Sequence, residues 1–299
     1  MMVDINGLSK KYGTFEAIHD INIKIEKGMI HGIIGENGSG KTTLIKCIAG
    51  IYRPECGEVI IDGENVYENP KVKERLGYVA DNNKFFPTYR LGKMMEFYRD
   101  VYKNFDVEKF KYLNHIFKLD MNKRVRELSK GQKMRLAFML NTASCPDVLI
   151  LDEPTSGLDV MAKKELFDAL ISEVEERDLT VIISSHNLTE IERICDNISI
   201  IKNGTMAGQS DMEGIMKMAR KFNFVFDNGA PDGFMSHAKL VSVKNVGNIY
   251  TVVFNGITDE EVEELKGMQP VYMEEISVNL EEVFVYTNGG DGYGRKNTV

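Results

Sequence analysis

The sequence lacks an apolar run long enough to cross a membrane. A membrane-spanning helix needs about 20 consecutive apolar residues, and no stretch of the 299 residues approaches that length. The first residues, MMVDINGLSKKYG, contain no apolar segment like that of a secretory signal. We therefore expect a chain that starts and stays in the cytosol.

Cysteine is scarce, and the chain has no excess of positive charge. The four cysteines are scattered and form no CxxC pair, which predicts reduced structural thiols. The 45 acidic residues outnumber the 37 basic ones, and the net charge is −8. General binding to nucleic acid needs a basic surface that neutralises phosphates, so this balance argues against nucleic acid as a partner.

Strand and helix patterns alternate over the first two-thirds of the chain. Ile21, Ile23 and Ile25 alternate with polar residues, which predicts a half-buried strand. Short apolar runs at 29–34 and 148–151, and others like them, are each followed by a helical pattern, and this alternation predicts a mostly parallel α/β sheet. Strand signals are weak from about 88 to 145, where apolar residues recur at helical spacing, so we expect a helical insertion there.

The last third has a different character. Short strands and one helix predict a small α+β domain over 219–287, and from residue 219 onward twelve acids stand against seven bases. The closing residues, NGGDGYGRKNTV at 288–299, predict a flexible tail. A chain of this length favours about two domains, and we place the first over 1–218.

A phosphate-binding motif lies between a predicted strand and a predicted helix. GENGSGKT, at 35–42, fits G-x-x-x-x-G-K-[ST]. Gly35, Gly38 and Gly40 let the backbone turn its N–H groups toward an anion, and the following helix adds the positive end of its dipole. We expect the Lys41 ammonium at the β- and γ-phosphates and the Thr42 hydroxyl on Mg²⁺.

Three further side chains complete the predicted catalytic set. An apolar strand ends in Asp152 and Glu153. Two adjacent carboxylates at the end of a buried strand are costly unless they bind a cation or take part in a reaction. Asp152 suits Mg²⁺, and Glu153 suits a general base that activates water. His186 follows another apolar strand, at the end where α/β sheets place ligands, so we expect it near the γ-phosphate.

Taken with LSKGQ at 128–132, these motifs resemble the ATP-binding subunit of ABC transporters over about residues 2–218. The resemblance implies a P-loop NTPase fold of the ABC type, with a mostly parallel sheet, an antiparallel β-subdomain, a helical insertion and here a small C-terminal α+β domain. It also implies ATP and Mg²⁺ as ligands, with Tyr12 stacking on adenine. The ATP-binding residues it predicts are Tyr12, Gly35, Asn37, Gly38, Ser39, Gly40, Lys41, Thr42 and Thr43.

In this family two ATPase subunits pair head to tail, as a homodimer or a pseudo-dimer. Each ATP then lies between the phosphate loop of one copy and the signature of the other. The residues that the resemblance places in the neighbour's site are Ser129, Lys130, Gly131 and Gln132 of the signature at 128–132, with Asp159 in the D-loop at 156–159. The membrane-spanning permease is expected to be a separate chain, and the ATPase to lie peripherally on the inner face of the cell membrane.

Two residues depart from the family pattern. Lys130 replaces the Gly expected at that place in the signature, and Asp81 stands where a Gln normally follows the strand LGYVA. Asp is still a hard-oxygen ligand, so Asp81 is a predicted third metal residue beside Thr42 and Asp152. The alternative is that Asp81 is a solvated turn residue.

The sequence leaves the direction of transport open. NLEEVF at 279–284 is similar to a segment in ATPases of drug, antibiotic and polysaccharide efflux pumps, which favours export. An importer ATPase with a regulatory C-terminal domain is the main alternative. A soluble ABC ATPase that acts on ribosomes or DNA is disfavoured, because the chain has one phosphate loop and an acidic C-terminal part. A sensor that does not hydrolyse ATP is disfavoured because Glu153 is present.

Overall fold

The computed structural model describes residues 1–288. The chain divides into two compact units, Met1–Gln209 and a second that begins at Ser210. This division falls nine residues before the predicted boundary at 218/219. The predicted tail, 288–299, lies outside the described residues apart from Asn288, which ends the last helix.

The strands and helices of residues 1–288 are numbered in chain order. The strands are β1 (Val3–Tyr12), β2 (Phe15–Ile25), β3 (Ile30–Ile34), β4 (Cys56–Ile61), β5 (Glu64–Asn65), β6 (Leu76–Val79), β7 (Val148–Asp152), β8 (Thr180–Ser184), β9 (Asn197–Lys202), β10 (Thr205–Asp211), β11 (Ala219–Val225), β12 (Leu240–Val246), β13 (Ile249–Asn255) and β14 (Tyr272–Ile276). The helices are α1 (Lys41–Ile48), α2 (Pro70–Lys73), α3 (Leu91–Val101), α4 (Val107–Phe117), α5 (Lys130–Ala143), α6 (Val160–Arg177), α7 (Leu188–Ile194), α8 (Met212–Met216), α9 (Asp259–Gly267) and α10 (Leu280–Asn288).

The first unit contains two sheets. One has the order β2-β1-β4-β5 and pairs its strands antiparallel. The other has the order β10-β9-β3-β8-β7-β6, with parallel pairing from β9 to β6. Strands β3, β7 and β8 are buried along their whole length, which explains why their sequences are continuous apolar runs. The predicted α/β class with an antiparallel subdomain is confirmed.

The stretch between β6 and β7 is helical, as its apolar spacing predicts. The residues that recur on α4, Phe110, Leu113 and Phe117, are buried. Phe117 meets Phe138 of α5 edge to face, with ring centroids 5.9 Å apart. These stripes are therefore packing surfaces. None of the helices within residues 1–288 is long and apolar enough to span a bilayer.

The second unit has a four-stranded antiparallel sheet in the order β12-β13-β11-β14. Alternate residues of β11 point to its core, and the core is rich in phenylalanine. Its largest buried side chains are Phe222, Phe224, Phe234 and Phe254. A core of its own explains why this acidic segment forms a separate compact unit.

One buried histidine makes the stability of the first unit depend on pH. His31, in β3, is fully buried, its Nε2 lies 2.8 Å from Ser199 Oγ, and its Nδ1 has no hydrogen-bond partner. Burial lowers the pKa of His31 from 6.5 to about 4. The folded state therefore favours the neutral ring, and the unfolded state takes up a proton first as the pH falls.

We expect the His31 contribution to be complete above pH 6.5 and to be lost as the pH falls toward about 4. Between pH 7 and pH 5 the loss amounts to about 2 kcal/mol of unfolding free energy. His31→Gln keeps a polar partner for Ser199 but does not titrate, so urea unfolding of the variant should show a smaller loss over that range. Equal losses for both proteins would contradict the assignment.

Candidate nucleotide-binding site

The predicted catalytic residues follow neighbouring strands of the parallel sheet. In space β3, β8, β7 and β6 lie side by side. The segments after these strands carry the phosphate loop, His186, Glu153 and Asp81, in that order. Parallel strands end at the same edge, so residues far apart in sequence lie along one edge of the sheet, where open α/β folds bind their ligands.

The phosphate loop has two glycines at which there is no room for a side chain. A Cβ on Gly35 would collide with the carbonyl oxygen of Ile201, and one on Gly40 would lie 2.7 Å from the carbonyl oxygen of Ala17. Gly40 also has φ +105°, a conformation that L-residues avoid. It precedes α1 and offers no side-chain cap, so the first N–H groups of the helix remain available to an anion. The buried hydroxyl of Ser39 has no partner among the described residues, so it also fits a phosphate oxygen.

Lys41 is a buried cation inside this loop. Its Nζ donates to the carbonyl oxygens of Gly35, at 2.7 Å, and Glu36, at 2.9 Å. Burial lowers the pKa of Lys41, and the nearby carboxylates of Glu153 and Asp152 act in the opposite direction. An anionic phosphate would stabilise the charged form further, as expected of a lysine that binds phosphates.

The donors present fit Mg²⁺. The Thr42 hydroxyl lies 3.4 Å from Asp152 Oδ1, to which Ser184 also donates a hydrogen bond of 2.8 Å. Burial raises the pKa of Asp152, and the Ser184 hydrogen bond partly offsets this. Residues 1–288 contain no group of three or more His, Cys, Asp and Glu side chains that could hold a metal ion. One carboxylate and one hydroxyl, completed by phosphate and water, match the way Mg²⁺ is usually bound.

Glu153 and His186 are brought together at this edge. His186 Nδ1 lies 2.6 Å from Glu153 Oε2. Glu153 has φ +52°, an unfavourable conformation for a residue with a side chain, and its N–H donates to the Ser184 carbonyl at 3.2 Å. Backbone strain of this kind clusters at functional sites. The carboxylate is thus held in one orientation, as a general base requires.

Tyr12 lies at the end of β1 with 46% of its surface exposed. Its hydroxyl is 3.4 Å from Thr43 Oγ1, in the first turn of α1. Tyr52 contacts it edge to face, with centroids 6.0 Å apart. The ring is therefore supported beside the phosphate loop and open to solvent, which fits the stacking of a base.

The signature residues begin α5. Ser129 is the N-cap: its Oγ accepts from the N–H of Gln132 at 3.2 Å, and the Gln132 side chain accepts from the Ser129 N–H at 3.1 Å. This capping box fixes the start of the helix. Gly131 packs against the D-loop, since a Cβ there would lie 3.0 Å from the Gly157 carbonyl oxygen. Asp159 accepts from the Ala162 N–H at 2.9 Å and caps α6.

The two departures from the family pattern contact each other. Lys130 Nζ lies 2.7 Å from Asp81 Oδ1 and 2.8 Å from Ser156 Oγ. The carboxylate that we expect at the metal is thus paired with a cation of the signature in the same chain. The role of Asp81 as a metal ligand remains a prediction. The alternative, a solvated turn residue, did not include an ion pair with Lys130.

Sequence reasoning missed Ser184, and it placed Ser156 in the D-loop without its contact with Lys130. Ser184 pairs in register with Asp152 across the parallel strands, so its position at the end of an apolar strand could have signalled it. The contact between Ser156 and Lys130 could not be predicted from the sequence, because it depends on the packing of α5.

Comparison with known proteins gives the family. The ABC transporter family model matches residues 18–156. The ABC transporter ATP-binding protein YtrB of Bacillus subtilis (strain 168) is 32% identical over 289 residues, which are 97% of this chain and 99% of that protein. The bacitracin transport ATP-binding protein BcrA of Bacillus licheniformis is 30% identical over 227 residues, with 74% and 73% covered. A methionine import ATP-binding protein, MetN 1 of Listeria monocytogenes, is 28% identical over 277 residues, with 83% and 80% covered.

Solved structures agree on the fold. The dimeric ATP-binding cassette MJ0796, in a post-hydrolysis state with ADP and Pi, superposes with a TM-score of 0.65 at 23% identity. The match covers 71% of this chain and 99% of that one. This likeness shows the fold, and the YtrB match along nearly the whole chain shows the family. The geometry at the sheet edge is consistent with both. The chain belongs to the ABC transporter family, as an ATP-binding subunit that hydrolyses ATP with Mg²⁺.

Proposed function

We propose that this subunit powers export through a separate membrane-spanning partner, to which it binds from the cytoplasmic side. The observation that carries the ATPase part is the convergence of Lys41, the Thr42–Asp152 pair and the Glu153–His186 pair at one sheet edge. Export is supported by NLEEVF at the start of α10 and by the likeness to BcrA, whose name states bacitracin transport.

Each side chain has a part in the proposed mechanism. Lys41 and the N–H groups around Gly38 and Gly40 bind the β- and γ-phosphates and position them. Thr42 and Asp152 would hold Mg²⁺, which would neutralise phosphate charge. Glu153 accepts a proton from the attacking water, and His186 keeps that carboxylate oriented and contacts the γ-phosphate.

We also propose that two copies share each nucleotide, head to tail. Ser129 and the N–H groups at the start of α5 then bind the γ-phosphate held by the partner's phosphate loop. Val160 and Met161, which follow the D-loop Asp159, are 82% and 66% exposed. Adjacent exposed apolar side chains beside the site support an interface there.

An exposed aromatic cluster supports docking of the membrane partner on the helical insertion. The Phe86 ring contacts both Tyr89 and Phe97, with ring centroids 4.9 Å and 5.5 Å apart. Phe86 and Phe97 are exposed large apolar residues of the kind that marks protein interfaces. The cluster begins five residues after Asp81, so a partner bound there would adjoin the loop that follows β6.

We expect Phe86→Ser with Phe97→Ser to abolish copurification of the membrane partner while the free chain keeps its ATPase rate within about twofold. Buried aromatic anchors typically contribute at least 2 kcal/mol to an interface, about 30-fold in affinity for each residue. Tyr112→Ser, an exposed aromatic on α4, is the matched control. Retention of the partner by the double variant would place docking elsewhere.

An importer with a sensing C-terminal domain is the second candidate, because the second unit has a cavity of about 740 Å³. The two cations that line it are already paired: Arg220 lies 2.7 Å from both Glu275 and Asp259, and Lys217 lies 2.5 Å from Glu213. The cavity therefore has no unpaired cation among the described residues of its lining that could bind an anion, and we propose that 219–287 is an accessory domain.

The direction of transport can be measured directly. The permease is identified by affinity purification from native membranes, and transport is then followed in inverted vesicles made with the copurified permease. Accumulation inside inverted vesicles means export, and ATP-driven loss from them means import.

A further inference from the structure

Lys130 is placed where a helix disfavours a cation. It is the first residue of α5, and the N-terminus of a helix carries the positive end of the dipole. A lysine there needs a compensating contact. The structure provides one in Asp81, and the Ser156 hydroxyl accepts a second hydrogen bond from the same ammonium.

The loop after β6 is built to present Asp81. Asn83 folds it, since its Oδ1 accepts from the Ala80 N–H at 3.1 Å and its Nδ2 donates to the Ala80 carbonyl at 2.6 Å. Asn83 Nδ2 also lies 3.8 Å from Met134 Sδ. Met134 is one helical turn beyond Lys130, so the loop contacts α5 on two successive turns.

The D-loop is part of the same junction. Gly157 has φ +78°, and a Cβ there would lie 3.4 Å from Lys130 Cδ, so the lysine stem passes over this glycine. Together with Gly131 against the Gly157 carbonyl, this packing joins three segments within one chain: the loop after β6, the start of α5 and the D-loop.

We propose that Lys130 is a positioning residue whose bond to Asp81 holds the signature helix against the loop after β6. In the proposed head-to-tail arrangement, on which this inference rests, that loop faces the chain's own nucleotide and the signature faces the partner's. The Asp81–Lys130 pair therefore links the two nucleotide sites. The charge at 130 acts within its own chain and is not a ligand of the partner's phosphate.

Charge reversal tests the pair. Asp81→Lys places two cations together and Lys130→Asp places two carboxylates together, and each should lower kcat about fivefold or more with KM for ATP within about twofold. Lys130→Asp improves the helix N-terminus, so a loss of activity cannot come from a weakened helix. The exchange variant, with both changes, should recover kcat to within about twofold of the wild type, and such recovery would also exclude Asp81 as a metal ligand, since a lysine at position 81 cannot bind Mg²⁺. Lys84→Asp, in the same loop and exposed, is the matched control for charge.

The opposite pattern would overturn the inference. If Lys130 binds the partner's phosphate, Lys130→Asp raises KM, Asp81→Lys leaves it unchanged or lowers it, and the exchange variant shows no recovery. Both side chains are about half exposed, so melting temperatures should stay close to that of the wild type in every variant. Whether the sites are shared at all is tested separately, by mixing phosphate-loop and signature variants.

Discussion

Glu153→Gln is expected to abolish nearly all ATP hydrolysis while leaving ATP binding intact. The substitution keeps the shape of the side chain and a hydrogen-bonding partner for His186, 2.6 Å from the carboxylate, but an amide cannot accept the proton of the attacking water. General bases typically contribute about 10²–10⁴-fold to a rate. Phosphate release under single-turnover conditions should fall by that factor.

The same variant should accumulate as an ATP-bound dimer, because the proposed head-to-tail dimer would separate only after hydrolysis. Size-exclusion chromatography with ATP and Mg²⁺ should show the dimer, and with ADP the monomer. Glu68→Gln is a matched control, because Glu68 also has a positive φ, 54°, and is exposed away from the sheet edge. Residual turnover of Glu153→Gln within threefold of the wild type would remove Glu153 from the role of base.

Lys41→Ala is expected to lose ATP binding in its own site. Removing one partner of a buried charged contact typically costs about 2–5 kcal/mol, which corresponds to roughly 30- to 5,000-fold in Kd. Ser129→Arg should leave its own phosphate loop intact and, in the proposed dimer, place a bulky side chain in the partner's nucleotide site. Each variant alone is therefore expected to be inactive.

Mixing the two inactive variants should restore activity. In a mixed dimer one nucleotide site combines the intact Lys41 of one copy with the intact Ser129 of the other, and the second site carries both lesions. Random pairing at equal amounts makes half of the dimers mixed, so about a quarter of the wild-type number of sites is expected to be intact. Each variant alone at the same total concentration is the control. Absence of recovery, with mixed dimers demonstrated by tagged copies, would indicate that catalysis is not shared in this way or that both sites must be intact.

Local sequence was sufficient to predict structure wherever neighbouring residues within one segment determine its conformation. The glycines of residues 35–42, the apolar runs of β3, β7 and β8, and the Ser129–Gln132 capping box each specify a turn, a buried strand or a helix start through neighbouring residues. The same holds for the phenylalanine alternation of β11 in the acidic second unit. For that reason the fold class, the phosphate loop and the family could be predicted.

The boundary between the two units could not be predicted from local sequence. The predicted division at 218/219 followed a change in strand character, whereas the structure separates the units at Gln209. No composition change marks that point, because β10 and α8 continue the alternation of strand and helix across it. Packing, which depends on the whole set of neighbours, decides where one compact unit ends.

The sequence by itself determined the chemistry of this protein: a glycine-rich loop with Lys41, and acids at the end of a buried strand, specify an ATPase because short-range backbone geometry and burial leave few other uses for them. Only the tertiary structure decided which residues meet. The strand order β3-β8-β7-β6 brings Ser184 into contact with Asp152 and His186 into contact with Glu153. The packing of α5 brings Lys130 into contact with Asp81. Spatial order in a parallel sheet is set by crossover helices and long-range packing, so contacts between residues 49 or 33 positions apart are invisible to local patterns.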